Sequence, residues 1–291
     1  MQECINGIQV HYEVRGEGKP VIMLHGCGCD YRLMSGCMEP VFQGHQGYQR
    51  IYIDLPGMGE TNAPLSAGSS DQILETLIAF IKKMTKDSFL IAGESYGGYL
   101  ARGIVTRLYK DIDGLLMICP VIEPKHSKRN VPEKAALMYD EEFLSGLSQE
   151  EREVYCGYAV VANRDVYQRF RDDILPGLKM ADSPFIETLQ NNYAFSWDID
   201  RISRELKFEK PVLLLAGRQD NCVGYEDLWN IMGDYPRGTF AVLDMAGVNL
   251  FLTRSRGSHM DMAGHNLQIE QPGLFHSLVK EWIQRTEVSS T

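Results

Sequence analysis

The stretch Ile91-Ala92-Gly93-Glu94-Ser95-Tyr96-Gly97-Gly98 holds a serine placed to attack a carbonyl. Upstream, Ser88-Phe89-Leu90-Ile91-Ala92 is an apolar run of strand length. Downstream, residues 99–105 have the apolar spacing of a buried helix, so Ser95 stands at a strand-to-helix turn. Glycines two positions to either side remove the β-carbons that would collide there. The turn can then tighten until the serine is held strained with its hydroxyl exposed, as in a nucleophile elbow. The helix that follows aims unpaired N–H groups and the positive end of its dipole at the place where a tetrahedral oxyanion would form.

A serine hydroxyl is a poor nucleophile near neutral pH unless a positioned base removes its proton during attack. The chain must therefore supply a base, an acid to orient it, and a second oxyanion donor. The apolar run Val21-Ile22-Met23-Leu24 reads as a strand covered on both faces, and His25-Gly26-Cys27-Gly28-Cys29-Asp30 follows at its C-terminal edge, where open α/β sheets place ligands. The backbone N–H of Cys27 is the candidate second donor, beside that of Tyr96, while His25 is expected to orient this loop by hydrogen bonding. Another buried strand, Pro211-Val212-Leu213-Leu214-Leu215-Ala216, leads into Gly217-Arg218-Gln219-Asp220, and Asp220 is the candidate orienting acid. Asp54, after the strand Arg50-Ile51-Tyr52-Ile53, is expected to hold loop backbone rather than react.

Strands alternate with helices along most of the chain, which predicts a mostly parallel sheet flanked by helices. Residues Ile8 to Val14 alternate as a half-buried strand and, with Val21 to Leu24, are expected to form a hairpin entering the sheet. Ser70 and Asp71 are expected to cap the helix before the elbow strand. From 121 to 210 the rhythm stops, and charged, helix-patterned sequence takes over. Ser148 with Glu151 forms a capping box there, Asn163 caps a helix from Arg164 to Leu175, and Ser183-Pro184 opens another. This divides the chain into a core, 1–120 and 211–291, interrupted by a helical cap, 121–210. The cap's aromatics, Tyr193 and Phe195 among them, are expected mostly to pack, and spacing alone cannot choose which of them line a pocket.

Together, His25-Gly26, the loop Asp54-Leu55-Pro56-Gly57-Met58-Gly59, the elbow, Gly217-Arg218-Gln219-Asp220 and Gly264-His265-Asn266 resemble the α/β-hydrolase superfamily in its cap-containing serine branch. The likeness covers essentially the whole chain, and the order nucleophile, acid, histidine is that of the superfamily. The resemblance implies Ser95 as nucleophile, His265 as general base and then acid, Asp220 holding the imidazole tautomer, and the Cys27 and Tyr96 amides as the oxyanion hole. Serine at the elbow departs from the branches that use aspartate, which argues against a dehalogenase or an epoxide hydrolase. The implied activity is cofactor-free, metal-free acyl transfer, first of all on small carboxylic esters. Amide or N-terminal peptide cleavage, carbon–carbon bond hydrolysis, and a catalytically impaired ligand-binding protein remain alternatives.

One region departs from the pattern. Asp244-Met245-Ala246-Gly247-Val248-Asn249-Leu250 is nearly repeated as Asp261-Met262-Ala263-Gly264-His265-Asn266-Leu267, as though residues 248–264 were inserted. Inside lies Arg256-Gly257-Ser258-His259-Met260, of the kind left beside purification tags, so engineering and natural duplication both stand open. If the first copy seeds the loop, the base is displaced. If the second copy docks, the insertion bulges outward.

Bulk composition narrows the partners. Acidic residues outnumber basic ones, 39 to 29, and no basic cluster is interleaved with aromatics, which gives nucleic acid or an anionic membrane little to bind. A small-molecule substrate fits better. Seven scattered cysteines argue for reduced thiols. No apolar run approaches the roughly 20 residues a bilayer requires, and the N-terminus lacks a leader pattern, which together suggest a cytoplasmic protein.

Overall fold

The computed structural model describes residues 1–133, 135, 137–246 and 266–288. In chain order come β1 (Gln2–Ile5), β2 (Ile8–Arg15), β3 (Lys19–Leu24), α1 (Tyr31–Phe42), β4 (Tyr48–Ile53), α2 (Ser70–Met84), β5 (Phe89–Glu94), α3 (Tyr96–Leu108) and β6 (Ile112–Ile118). The next stretch holds two short strands, β7 (Met138–Tyr139) and β8 (Val161–Ala162). With them come α4 (Glu141–Leu144), α5 (Gln149–Tyr158), α6 (Arg164–Arg169), α7 (Leu175–Met180), α8 (Ser183–Asn191) and α9 (Ile199–Leu206). The chain then returns with β9 (Val212–Gly217), α10 (Tyr225–Asn230), β10 (Gly238–Leu243), α11 (Leu267–Glu270) and α12 (Pro272–Val288).

Eight of these strands form one sheet in the order β1-β2-β4-β3-β5-β6-β9-β10. Every pairing from β4 to β10 is parallel, and β2 runs antiparallel to both of its neighbours. β5 and β9 are buried at every residue, as expected of strands covered on both faces. Trp282 of α12 is fully buried and donates its indole N–H to Pro211 O at 3.1 Å, pinning that helix beneath β9.

The expected hairpin does not form. β4 lies between β2 and β3, antiparallel to the first and parallel to the second. The cause is burial. Val21 to Leu24 are wholly enclosed and require a strand on each side, supplied by β4 and β5, whereas the alternating β2 suits a place near the sheet edge.

Local signals in the helical stretch are partly as read and partly shifted. The Ser148–Glu151 capping box is present and Asn163 caps α6. The helix after Asn163 widens into a π-turn over Phe170–Ile174 before α7, because Pro176 has no N–H to continue the α ladder. Ser183-Pro184 opens α8, with Asp182 as its cap, whereas Ser69, not Ser70, caps α2, which leaves Ser70 for another task. A second apolar cluster joins Leu144, Tyr155, Tyr167, Phe170 and Ile174 to Cys29 and Ile269, fastening this stretch to the sheet edge. Glu270 of α11 adds a polar fastening, accepting from Val160 N at 2.8 Å and Val161 N at 3.0 Å. Among the described residues, no helix is long and apolar enough to cross a membrane.

Candidate active site

Ser95 follows the last residue of β5 with φ 52° and ψ −114°, outside the regions open to most L-residues, an arrangement that costs on the order of 1–3 kcal/mol. Backbone bonds hold it there. Ser95 N–H donates to Ile118 O at 2.9 Å, and Ser95 O accepts from Tyr99 N at 3.1 Å and Val121 N at 3.0 Å. The flanking glycines are required by contact. A β-carbon at Gly93 would strike the Gly97 carbonyl and come within 2.6 Å of Gly98 N, and one at Gly97 would strike Leu24 O and lie 2.7 Å from His25 O.

β3 pairs with β5 so that Leu24 faces Gly93, which brings the loop after β3 alongside the elbow. A β-carbon at Gly26 would lie 3.4 Å from that of Ser95 and would collide with the fully buried Glu94 carboxylate. The buried Cys27 follows. Tyr96 opens α3, so its N–H has no partner within the helix. His25 orients the loop as expected. Its Nδ1–H donates to Gly26 O at 2.7 Å and its Nε2 accepts from Leu55 N at 3.0 Å, a pattern that fixes one neutral tautomer. Burial holds its pKa below the usual histidine range, outweighing the opposing pull of Asp54, the Gly26 carbonyl and Asp30. Asp54 holds loop backbone, accepting from Tyr31 N at 2.7 Å and Glu60 N at 2.9 Å, and it also takes the Nδ1–H of buried His11 at 2.8 Å.

Asp220 lies just beyond β9, one strand past β6, and is 1% exposed. Its Oδ1 accepts from Cys222 N at 2.9 Å and Val223 N at 3.1 Å. Sequence reasoning missed a neighbour of this carboxylate, the buried thiol of Cys119. Burial, with Asp220 and Glu94 nearby, pushes this thiol well above its ordinary pKa, so it stays protonated and able to donate. Cys119 has φ 41° and donates its N–H to Leu215 O at 2.8 Å, so residues 118–121 tie the serine elbow to the strand bearing the acid. The available signal was its place at the C-terminal end of a strand lying between those two.

His265 lies outside the described residues, as do His259 and the suspected insertion at 248–264. The chain on either side of that interval is anchored. Gln219 N–H donates to Ala246 O at 3.0 Å, Ala246 N–H donates to Gln219 Oε1 at 3.1 Å, and Asn266, 2% exposed, accepts from Ile269 N at 2.8 Å.

Above the elbow, Ser70 donates from Oγ to Tyr193 O at 2.5 Å and accepts from the Tyr96 hydroxyl at 2.9 Å. The Tyr193 ring packs 4.7 Å from that of Tyr96 and stacks 6.1 Å from that of Tyr99. Phe195 and Trp197 extend this ladder outward to a groove of about 380 Å³, which Ser95 does not border. Such an assembly, given a base, can carry out acyl transfer: a strained serine at a helix N-terminus, a glycine-rich loop pressed against it, and a buried acid one strand away.

Comparison with known proteins agrees with the architecture. The family model described as serine aminopeptidase, S33, matches residues 18–244. The pimeloyl-[acyl-carrier protein] methyl ester esterase of Shewanella sp. (strain MR-7) is 28% identical over 221 residues, covering 74% of this chain and 78% of that protein. An alpha/beta superfamily hydrolase from Oenococcus oeni PSU-1 superimposes with a TM-score of 0.83 at 29% identity over 99% of both chains. A thermophilic esterase from Thermogutta terrifontis, 18% identical over 98% of each chain with a TM-score of 0.67, shares the fold. The chain thus belongs to the α/β-hydrolase superfamily, within the hydrolase family described as serine aminopeptidase, S33.

Proposed function

We propose that the protein is a serine hydrolase that cleaves small carboxylic esters by acyl transfer. Ser95 Oγ attacks the ester carbonyl as its proton passes to His265, and the developing oxyanion is held by the Cys27 and Tyr96 amides. The C–O bond to the leaving group breaks, and His265 returns the proton to the departing alcohol. Water, activated by the same imidazole, then attacks the acyl-enzyme, releasing the acid and restoring Ser95. Asp220 keeps the imidazole in the tautomer that can accept a proton. Residues 121–210 form the cap that selects the substrate.

The backbone of Ser95 carries this reading: a non-glycine residue at φ 52° serves no packing purpose that an ordinary turn would not meet at lower cost. The esterase named among the relatives supports an ester substrate, while the family description supports an amide as the second reading. A panel of chromogenic short-chain esters and amides tests both, with the full chain, Ser95→Ala and a chain lacking 248–264. Ester turnover that vanishes in Ser95→Ala is expected. Turnover only after the deletion would mean that the insertion displaces the base. Silence from all three, with Ser95 unlabelled by a fluorophosphonate, would overturn acyl transfer, and cleavage of amides alone would favour the second reading.

A further inference from the structure

Ser70 opens α2 without capping it, and its hydroxyl serves two partners. Oγ donates to Tyr193 O at 2.5 Å and lies 2.9 Å from the Tyr96 hydroxyl. A carbonyl oxygen can only accept and a serine carries one O–H, so the second bond has one possible direction: the Tyr96 phenol donates to Ser70. Burial pushes that phenol well above its ordinary pKa, which keeps the donor proton in place. The two bonds run in series from Tyr96 through Ser70 to the main chain of residue 193. Ser70 and Tyr96 are both fully buried, where each bond polarises the next.

Both ends of this relay are anchored. Ser70 N–H donates to Asn192 O at 3.2 Å, Phe195 N–H to the Tyr99 hydroxyl at 2.9 Å and Ser196 N–H to the Asp71 carboxylate at 3.2 Å, so the segment 192–196 is sewn onto α2 and α3. At the other end the Tyr96 ring lies 4.7 Å from the Tyr193 ring and 6.4 Å from the Tyr99 ring. The N–H that an oxyanion would need belongs to the peptide joining Ser95 to Tyr96. That unit is planar, so its N–H direction is set by where its carbonyl oxygen and the Tyr96 Cα are held. Tyr99 N and Val121 N hold the oxygen, at 3.1 and 3.0 Å. The Tyr96 side chain holds the Cα, and Ser70 holds the far end of that side chain.

We propose that Ser70 is a positioning residue for the oxyanion hole, setting the direction of the Tyr96 N–H through the Tyr96 hydroxyl without touching the substrate. The assignment rests on the ester-hydrolase reading and adds the group that sets one of its two oxyanion donors. A donor aimed off line binds the ground-state carbonyl almost as before but the tetrahedral oxyanion less well, so its loss falls on kcat rather than KM.

The test compares Ser70→Ala, Ser70→Thr, Tyr96→Phe and the double variant Ser70→Ala/Tyr96→Phe in the full chain. It reads kcat and KM for methyl pentanoate and the calorimetric affinity for butylboronic acid, whose boron forms a tetrahedral adduct with a serine Oγ. Ser70→Ala and Tyr96→Phe should each lower kcat about tenfold, a part of the about 100-fold or more that a lost oxyanion donor costs, with KM within about twofold. Boronate affinity should fall in step. The double variant should lose no more than the worse single one, and Ser70→Thr, which keeps the hydroxyl, should recover most of the activity. Melting curves remove any variant that fails to fold, and Tyr96→Phe, which keeps the buried ring, decides if Ser70→Ala is lost. A packing role alone would lower the melting temperature and leave kcat and boronate affinity unmoved. That result, or losses that multiply in the double variant, overturns the assignment while the esterase reading stands. If no ester is cleaved, that reading fails instead, and the boronate decides: affinity weakened in Ser70→Ala and Tyr96→Phe supports Ser70 as the positioning residue, and absent or unaltered binding overturns it.

Discussion

The elbow and the acid loop end at the same edge of one sheet but are held by opposite means. Ser95 is fixed by backbone and by missing atoms: the β-carbons that Gly93 and Gly97 lack would occupy space already filled by main chain. Asp220 is fixed by donors, two backbone amides on one carboxylate oxygen, with the Cys119 thiol as a neighbour. Steric confinement of the first kind has no graded failure, because a carbonyl cannot yield without moving its strand. Polar confinement of the second kind weakens bond by bond. Ser95, the proposed nucleophile, is therefore expected to tolerate no change in its frame, and Asp220 to tolerate several.

Asp220→Asn keeps the size and one acceptor oxygen but loses the charge that favours one imidazole tautomer. Turnover of a short-chain ester should fall about 10⁴-fold with the fold intact, and a loss of less than about tenfold would remove Asp220 from the proposed triad. Gly97→Ala should cost about 3 kcal/mol of stability in denaturant melts and about 100-fold in rate by shifting Ser95. A near-neutral result would break the contrast, since it would mean that the elbow yields. Cys119→Ala, removing the thiol beside Asp220, should lower kcat by about tenfold or less, a loss near one hydrogen bond to a charged group. Cys119→Ser should restore most of it, and an equal loss in both variants would assign Cys119 to packing.

The smallest expected effect concerns pH. The pKa of His25 lies below the ordinary 6.5 in the folded chain, so the unfolded chain binds a proton that the native one does not. Its contribution is complete above about 6.5 and is lost as pH falls, because protonating Nε2 abolishes the bond from Leu55 N. Melting temperature should decline between pH 7 and 5, and His25→Gln, which cannot titrate, should flatten that decline.

The parts of this arrangement legible in the sequence are those written in local chemistry. Gly-x-Ser-x-Gly between an apolar run and a helical pattern marks the elbow because the steric demand falls within five consecutive residues, and Asp54 is identifiable as a loop holder from its turn-rich neighbours. The order of strands was not legible in this way. β2 and β3 are recognisable as strands, yet which strand lies between them depends on the burial of Val21 to Leu24, a property of the assembled sheet. Tyr193 is one aromatic among many until Ser70 and Tyr96 bring it over the elbow. Cys119 is one of seven cysteines until β9 brings Asp220 to it.

Glu270 has a mechanical consequence. Its carboxylate grips the amides of Val160 and Val161 in the helical stretch, while its backbone stands a few residues after His265 and runs directly into α12. A load that lifts the helical stretch away from the sheet is therefore transmitted as tension to the chain that follows the histidine. Displacement of the helical stretch and the tether of the proposed base would therefore share a single linkage, much as a door and its latch share a frame.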